Sequence, residues 1–154
     1  MIRACAQAGV YPVALAYLLL GEPDSVQVAG SLAECGVDAD AALLMTWPGG
    51  VHALLECSLV SALAMNAVIA GTKGRIDIDP AFHAAHRMTA RAGLHLEELH
   101  IDTAADDALA AELREVRDGV RAGLRQSPAV PLDATLAALR ILENAREALG
   151  AVAF

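Results

Sequence analysis

Residues 40–60 carry the sequence DAALLMTWPGGVHALLECSLV, and this stretch decides the fold class. Two apolar segments, 40–47 and 51–60, flank Pro48-Gly49-Gly50, which is typical of a tight turn between strands. In the second segment every other residue is apolar, so one face of that strand is expected to be buried. The residues of this face are Val51, Ala53, Leu55, Cys57 and Leu59. The stretch therefore predicts two strands that fold back on each other.

Further strands are predicted on both sides of this pair. Residues 25–32 alternate well enough for a strand that precedes it. Residues 66–70 and 75–78 follow it and flank Gly71-Thr72-Lys73-Gly74. A strand, a glycine-bounded turn and a second strand together indicate a hairpin.

Another hairpin is predicted farther along the chain. Segments 87–91 and 94–101 flank Ala92-Gly93. The apolar alternation breaks at Glu97-Glu98, which predicts a bulge or a strand end at that point. A run of about six or seven strands joined by short turns is typical of a largely antiparallel sheet.

Helical patterns lie at both ends of the sequence. Residues 11–20 form an apolar helix that Gly21 ends, and apolar residues recur at three and four over 106–126. Asp133 can cap a last helix over 134–149. Its inward positions are predicted to be Leu136, Leu139, Leu142 and Leu149. We expect an α+β fold, one open and mostly antiparallel sheet of about six strands with helices on one face. Partner and substrate are expected to share the other face.

Composition excludes several classes of partner. The chain has 154 residues, enough for one domain, and a formal net charge of −8, so nucleic acid and anionic membrane surfaces are poor partners. The apolar run 8–20 is shorter than the roughly 20 residues that span a bilayer. Cys5, Cys35 and Cys57 lack the spacing of a disulfide framework or a metal site, which predicts reduced thiols in a cytoplasmic protein.

Several motifs, taken in order, resemble the C-terminal domain of the glucose–fructose oxidoreductase and inositol dehydrogenase (Gfo/Idh/MocA) family. The resemblance covers nearly the whole chain. The motifs that carry it are Gly9-Val10-Tyr11-Pro12-Val13, Gly36-Val37-Asp38, Gly71-Thr72-Lys73-Gly74-Arg75-Ile76, Gly123, Ser127-Pro128 and Pro131-Leu132-Asp133. The Gly-Val-Tyr form is similar to the dimeric dihydrodiol dehydrogenases of the family.

The resemblance implies a fold and a role. The fold is that of the C-terminal domain of glyceraldehyde-3-phosphate dehydrogenase, and residues 1–154 would be a single substrate-binding and oligomerisation domain. The family's N-terminal Rossmann domain, with its glycine-rich loop and catalytic lysine, is expected to be absent, and with it the main site for NAD or NADP. The intact enzyme would be an NAD(P)-dependent dehydrogenase or reductase that oxidises or reduces a sugar, polyol or diol. The domain would form a homodimer through its sheet, and this chain alone would be inactive.

The resemblance also implies two site residues. Tyr11 stands where the dihydrodiol dehydrogenases carry a tyrosine at the reaction centre, so it would position or protonate a substrate oxygen. Phe82 stands where similar members carry an aromatic residue that lines the substrate pocket. An aspartate usually lies four residues before the tyrosine, but here that position is Gln7. Plain packing roles, a helix-terminal tyrosine and a loop aromatic, are the competing interpretations.

Other candidates have simpler interpretations. His83 and His86 are spaced like a metal pair but lack further ligands, so loop histidines and no metal are predicted. Asp77 and Asp79 more simply form a solvated strand face than a catalytic carboxylate pair. Trp47 fits a dimer interface or the core equally well.

Two other functions stay open. The chain could be a non-catalytic dimeric module that binds a small ligand or a partner protein. It could also be a degenerate remnant of an oxidoreductase, for which Gln7 is an argument because an amide cannot do the proton work of a carboxylate.

Overall fold

The computed structural model describes the backbone of residues 5–100 and 107–152 and the side chains of residues 7–97 and 109–152. Along the chain the elements are α1 (Val10–Leu20), β1 (Ser25–Leu32), β2 (Asp38–Thr46), β3 (His52–Ser58), β4 (Ala67–Gly71), β5 (Gly74–Ile78), β6 (Arg87–Ala92), β7 (His95–His100), α2 (Asp107–Arg121) and α3 (Leu132–Ala148). They fall into two compact units, a first unit of residues 1–63 and 128–154 and a second unit of residues 64–127.

The α+β class and the antiparallel pairing are confirmed. The strands form two sheets, β1-β2-β3 and β4-β5-β6-β7, rather than a single one. Every described strand pair is antiparallel. The division has a local cause after β3, because the Ser58 hydroxyl accepts the N–H groups of Val60 and Ser61 at 3.1 and 2.9 Å. These bonds turn the chain and end the strand, so that β4 begins a new ladder.

The core of the first unit lies between its sheet and two helices. Alternation along β2 and β3 places apolar side chains on one face, and α1 and α3 pack together over that face. Met45 and Val13 are 0% exposed, so the centre of this layer excludes water completely. The remaining core residues are Ala16, Ala41, Leu43, Trp47, Cys57, Ala138, Ile141, Leu142 and Ala145. The predicted inner face of β3 is confirmed for Ala53, Leu55 and Cys57, which face the core. Val51 and Leu59, predicted on the same face, lie outside the strand and are 43% and 44% exposed.

The start and the buried face of α3 differ from the prediction. Leu136 and Leu139, predicted to point inward, are about half exposed. The buried residues are Ala137, Ala138, Ile141, Leu142, Ala145 and Arg146. Small alanines let α3 approach its neighbours closely, which leucines would prevent. Asp133 is not the cap, because the helix begins at Leu132 after Pro131 and has no side-chain cap bond; the carboxylate instead lies in the first turn, where the helix dipole favours it.

The second unit contains both predicted hairpins. Gly71 pairs with Gly74 at the end of the β4-β5 ladder, and Ala92 pairs with His95 across the β6-β7 turn. The expected irregularity at Glu97-Glu98 is wrong, since the β6-β7 register runs through both residues without a shift.

The helix α2 carries the predicted apolar stripe, and its side chains are more than half exposed. The stripe consists of Leu109, Leu113, Val116, Val120 and Leu124. The helix ends at Arg121, earlier than the pattern suggested, because Gly123 adopts a φ of 70° and the Leu124 N–H returns to the Gly119 carbonyl at 2.9 Å. No helix within residues 5–100 and 107–152 is long and apolar enough to cross a bilayer.

Candidate functional site

Tyr11 lies in the first turn of α1, directly after a π-helical turn that spans Cys5–Gly9. The sequence favours this arrangement because Pro12, which has no N–H to donate, fits the first turn of a helix. Val13 and Ala16 bury the opposite side of α1 in the core, whereas Tyr11 is 48% exposed. The tyrosine is therefore accessible to a small molecule while its helix is held rigidly by the core.

The other end of α1 is fixed by Trp47. The indole Nε1 donates to the Gly21 carbonyl at 3.1 Å, and the Gly21 N–H donates to the Tyr17 carbonyl at 2.8 Å. Gly21 has a φ of 77°, a conformation that favours glycine. Trp47 is only 8% exposed within the first unit, so it is a core residue that ties α1 to the end of β2.

The face of the first sheet that points away from α1 and α3 holds a shallow depression of about 390 Å³. Small residues form its floor, and carboxylates and hydroxyls form its rim. The lining residues are Ala29, Gly30, Asp40, Ala41, Ala42, Glu56, Ser58 and Ser61. Asp40 accepts the Ser31 hydroxyl at 2.6 Å and the Ser31 N–H at 3.2 Å, which fixes its carboxylate on the rim. That a partner and a substrate share a free sheet face stays a prediction.

Phe82 lies in the second unit, in a single 3₁₀ turn that spans Phe82–Ala84. Its N–H donates to the Met65 carbonyl at 3.0 Å, and its half-buried ring meets the His83 ring edge-on at a centroid distance of 5.9 Å. Tyr11 and Phe82 thus belong to different units, each with its own local support.

The two aspartates of β5 and its end each pair with arginine. Asp77 accepts Arg75 at 2.6 and 2.9 Å, and Arg91 lies 3.5 Å away across the β5-β6 ladder. The hydrogen bond from Arg75 holds the pKa of Asp77 below its usual range. Asp79 accepts Arg87 Nε at 2.8 Å. Because its pKa is lowered, Asp77 is a poor proton donor. Both aspartates support the strands through their arginine partners.

Metal sites and dinucleotide sites each need a recognisable arrangement of residues or strands. Within residues 5–100 and 107–152, no three His, Cys, Asp or Glu side chains are placed to hold a metal ion. The described strands are all antiparallel, so they do not form the parallel strand–helix–strand unit that binds a dinucleotide.

Sequence analysis missed Arg146, which lies on α3 and is only 8% exposed. It donates to the Glu143 carboxylate at 2.7 and 2.9 Å and to the Ala151 carbonyl. The Glu143 bond raises the pKa of Arg146, and the fully buried carboxylate of Asp38 raises it further. A Glu–Arg pair three residues apart on a helix normally indicates a solvent-exposed face of that helix. The charge of Arg146 also interacts with Asp38, which is buried at the start of β2, and the spacing of the pair in sequence does not reveal this.

A family model and individual proteins both match the sequence of this chain. Residues 3–77 match the family model described as the GFO/IDH/MocA C-terminal domain. A trans-1,2-dihydrobenzene-1,2-diol dehydrogenase of Mus musculus is 32% identical over 151 residues, which cover 92% of this chain and 44% of that protein. The chain thus spans less than half the length of the curated relatives it matches.

Solved structures share the fold. The aldose-aldose oxidoreductase of Caulobacter crescentus, complexed with glycerol, superposes with a TM-score of 0.74 at 24% identity, over 92% of this chain and 43% of that one. A 3-ketoreductase of Actinomadura kijaniata, in complex with TDP-benzene and NADP, superposes with a TM-score of 0.67 at 22% identity, over 94% of this chain and 46% of that one.

Proposed function

We propose that this chain, which belongs to the GFO/IDH/MocA C-terminal domain family, is the substrate-binding and dimerisation domain of an NAD(P)-dependent oxidoreductase. The intact enzyme would transfer a hydride between NAD or NADP and a hydroxyl or carbonyl carbon of a sugar, polyol or diol. The observation that carries the proposal is the 32% identity with a diol dehydrogenase over 92% of the chain.

Tyr11 is the proposed catalytic residue. Reduction of a carbonyl leaves an alkoxide oxygen that must gain a proton, and the phenol hydroxyl is a donor suited to that role. Its 48% exposure supports the role, because the residue is partly accessible at the surface while α1 stays packed on the core. Rigid packing of Val13 and Ala16 keeps the donor at a fixed position, which a catalytic hydrogen bond requires.

Phe82 is the proposed substrate-binding residue. A half-buried ring beside His83 offers an apolar surface to the carbon skeleton of a diol or polyol. A pocket of this kind combines an apolar wall with a few polar groups that orient the ligand.

The outer face of the first sheet is the proposed dimer interface. Leu54 is 76% exposed on this face, and small residues on β1 and β2 surround the depression. An exposed sheet face with a large apolar side chain favours a protein partner, and a second copy of the chain would bury the same surface on both sides.

The cofactor would be bound by a dinucleotide-binding domain of the same enzyme that lies outside these 154 residues. When bound, the nicotinamide supplies or accepts the hydride. We predict that this chain alone neither binds NADPH at micromolar concentration nor turns over a substrate. A fluorescence titration of NADPH with the chain tests this, and saturation in the micromolar range would contradict it.

The decisive experiment uses the natural polypeptide that contains these residues. Its purified form is assayed for reduction of NAD⁺ and of NADP⁺ with a panel of trans-diols, polyols and aldoses, and its mass is measured by sedimentation. We expect turnover of at least one substrate by a dimer. A dimer that binds panel members without turnover would instead support the non-catalytic binding module. Gln7, which replaces the family's aspartate, is an argument for the other alternative, a degenerate remnant of an oxidoreductase.

A further inference from the structure

We infer that Met65 and Ala81 are positioning residues that hold Phe82 in one orientation for substrate recognition. The inference rests on the proposed function, which assigns Phe82 to the substrate pocket. It arises from the backbone at Ala81, in the loop between β5 and β6, and at Met65, two residues before β4.

The loop that contains Phe82 is closed at its base. The Asp79 N–H donates to the Arg87 carbonyl at 3.2 Å, and Arg87 Nε donates to the Asp79 carboxylate at 2.8 Å. The two ends of the loop are therefore held together where β5 stops and β6 starts. A compact loop with fixed ends can present a side chain from its tip without help from other elements.

Two residues of this region have left-handed backbone conformations. Met65 has a φ of 53° and Ala81 has a φ of 63°. A Cβ atom makes this region unfavourable, because it crowds the following carbonyl oxygen. The carbonyl groups of both residues accept hydrogen bonds from N–H groups of the 3₁₀ turn that contains Phe82. The Phe82 N–H donates to the Met65 carbonyl at 3.0 Å, and the Ala84 N–H donates to the Ala81 carbonyl at 2.7 Å.

The choice of residue types argues for function rather than for a simple turn. Elsewhere in residues 5–100 and 107–152, every positive φ belongs to a glycine, as at Gly36, Gly93 and Gly123. Glycine would relieve the strain at Met65 and Ala81 but would also let the loop sample many conformations. A residue with a Cβ, once forced into this conformation by the two hydrogen bonds, restricts the loop to fewer of them. Backbone strain that the fold could have avoided is typical of sites that hold a group ready for a ligand.

The test uses fluorine NMR on the full chain labelled with 4-fluorophenylalanine. The sequence contains two phenylalanines, so the Phe82 resonance is identified by recording the Phe154→Leu variant. Ala81→Val places a β-branched residue where φ must be positive, and Ala81→Gly permits that φ freely. The matched control, Ala70→Val, adds the same two methyl groups to an exposed position in β4, where β-branched residues are well accommodated.

We expect Ala81→Val to move the Phe82 resonance and Ala70→Val to leave it unchanged. Ala81→Gly should keep the position of the resonance but broaden it, because the loop then samples more conformations. Titration with trans-cyclohexane-1,2-diol should shift the resonance in the wild-type chain and in Ala81→Gly, and Ala81→Val should weaken the apparent affinity about tenfold through loss of one aromatic contact. A Phe82 resonance that stays in place in Ala81→Val would overturn the inference. If the three variants behave as expected but no diol shifts the wild-type resonance, the proposed substrate role of Phe82 fails, while the positioning of its ring by Ala81 stands.

Discussion

The two glycines of the Gly71-Thr72-Lys73-Gly74 hairpin should respond oppositely to replacement by alanine. A Cβ atom on Gly71 would come no closer than 3.8 Å to another atom, the Gly74 carbonyl oxygen. A Cβ atom on Gly74 would lie only 2.2 Å from the Arg91 carbonyl oxygen and 3.2 Å from the Ala92 Cα. Both neighbours are backbone atoms of β6, so the clash cannot be relieved by a side-chain rotation.

The magnitudes follow from these distances. Gly71→Ala removes freedom from the unfolded chain and should stabilise the protein by about 0.4–1 kcal/mol. Gly74→Ala must push β6 away from β5, and overpacking of this kind costs about 1–3 kcal/mol. The two variants should therefore differ by about 1.4–4 kcal/mol in unfolding free energy, with Gly74→Ala the less stable.

Native-state hydrogen exchange is the suitable assay, because it reports the opening free energy of individual amides. Amides of β5 and β6 should lose protection in Gly74→Ala and keep or gain it in Gly71→Ala. The close approach of β6 to Gly74 would be refuted by equal protection in the two variants. Amides of the first unit, for example in β2, serve as internal controls and should change in neither.

Two further predictions concern single contacts. Trp47→Phe removes the donor to the Gly21 carbonyl and should cost about 1 kcal/mol, together with some loss of packing, as measured by urea unfolding followed by far-UV circular dichroism; an unchanged urea midpoint would contradict the role of the indole. The bond from Arg75 lowers the pKa of Asp77 in the folded protein. The contribution of this ion pair to stability is therefore present above the unfolded pKa of about 3.9 and is lost as pH falls through the lower folded value. Asp77→Asn should therefore be less stable than the wild type at neutral pH but equally stable at the lowest pH, and a difference that persists in acid would exclude this origin.

The sequence predicted the local elements well because their signals are local. Apolar alternation and the turn at Pro48-Gly49-Gly50 located β2 and β3, and Gly21 correctly marked the end of α1. Both hairpins of the second unit followed from glycine-containing turns between short apolar strands. These patterns depend on a few neighbouring residues, whose conformational preferences are decided before any tertiary contact forms.

The division into two sheets was not predictable from the same patterns. β3 ends where the Ser58 hydroxyl accepts the N–H groups of Val60 and Ser61 and turns the chain. A serine does not by itself predict such a turn, because serine also occurs in strands, loops and helix caps. The hydrophobicity of the residues also predicted the wrong buried face for α3. Leu136 is the more apolar residue, but Ala138 permits the close packing of helices and is the one buried.

The candidate site was predicted only where a family resemblance supplied it. Tyr11 and Phe82 carry no signal of their own in a single sequence, because a tyrosine at a helix start and a phenylalanine in a loop are common packing residues. Met65 and Ala81 carry even less, since only coordinates reveal a positive φ. Arg146 was missed because its charge interacts with Asp38, which lies more than 100 residues earlier in the sequence.

The most direct measurement compares Tyr11→Phe with Tyr17→Phe in the natural polypeptide that contains this chain. Both replacements remove one hydroxyl from α1, but Tyr11 is exposed near the helix start, whereas Tyr17 packs against the core. Loss of a proton donor typically lowers the rate about 10²–10⁴-fold. We predict such a fall in kcat for Tyr11→Phe with substrate binding largely kept, and a nearly unchanged kcat for Tyr17→Phe. Equal activity of the two variants would contradict the role of this domain in the chemical step.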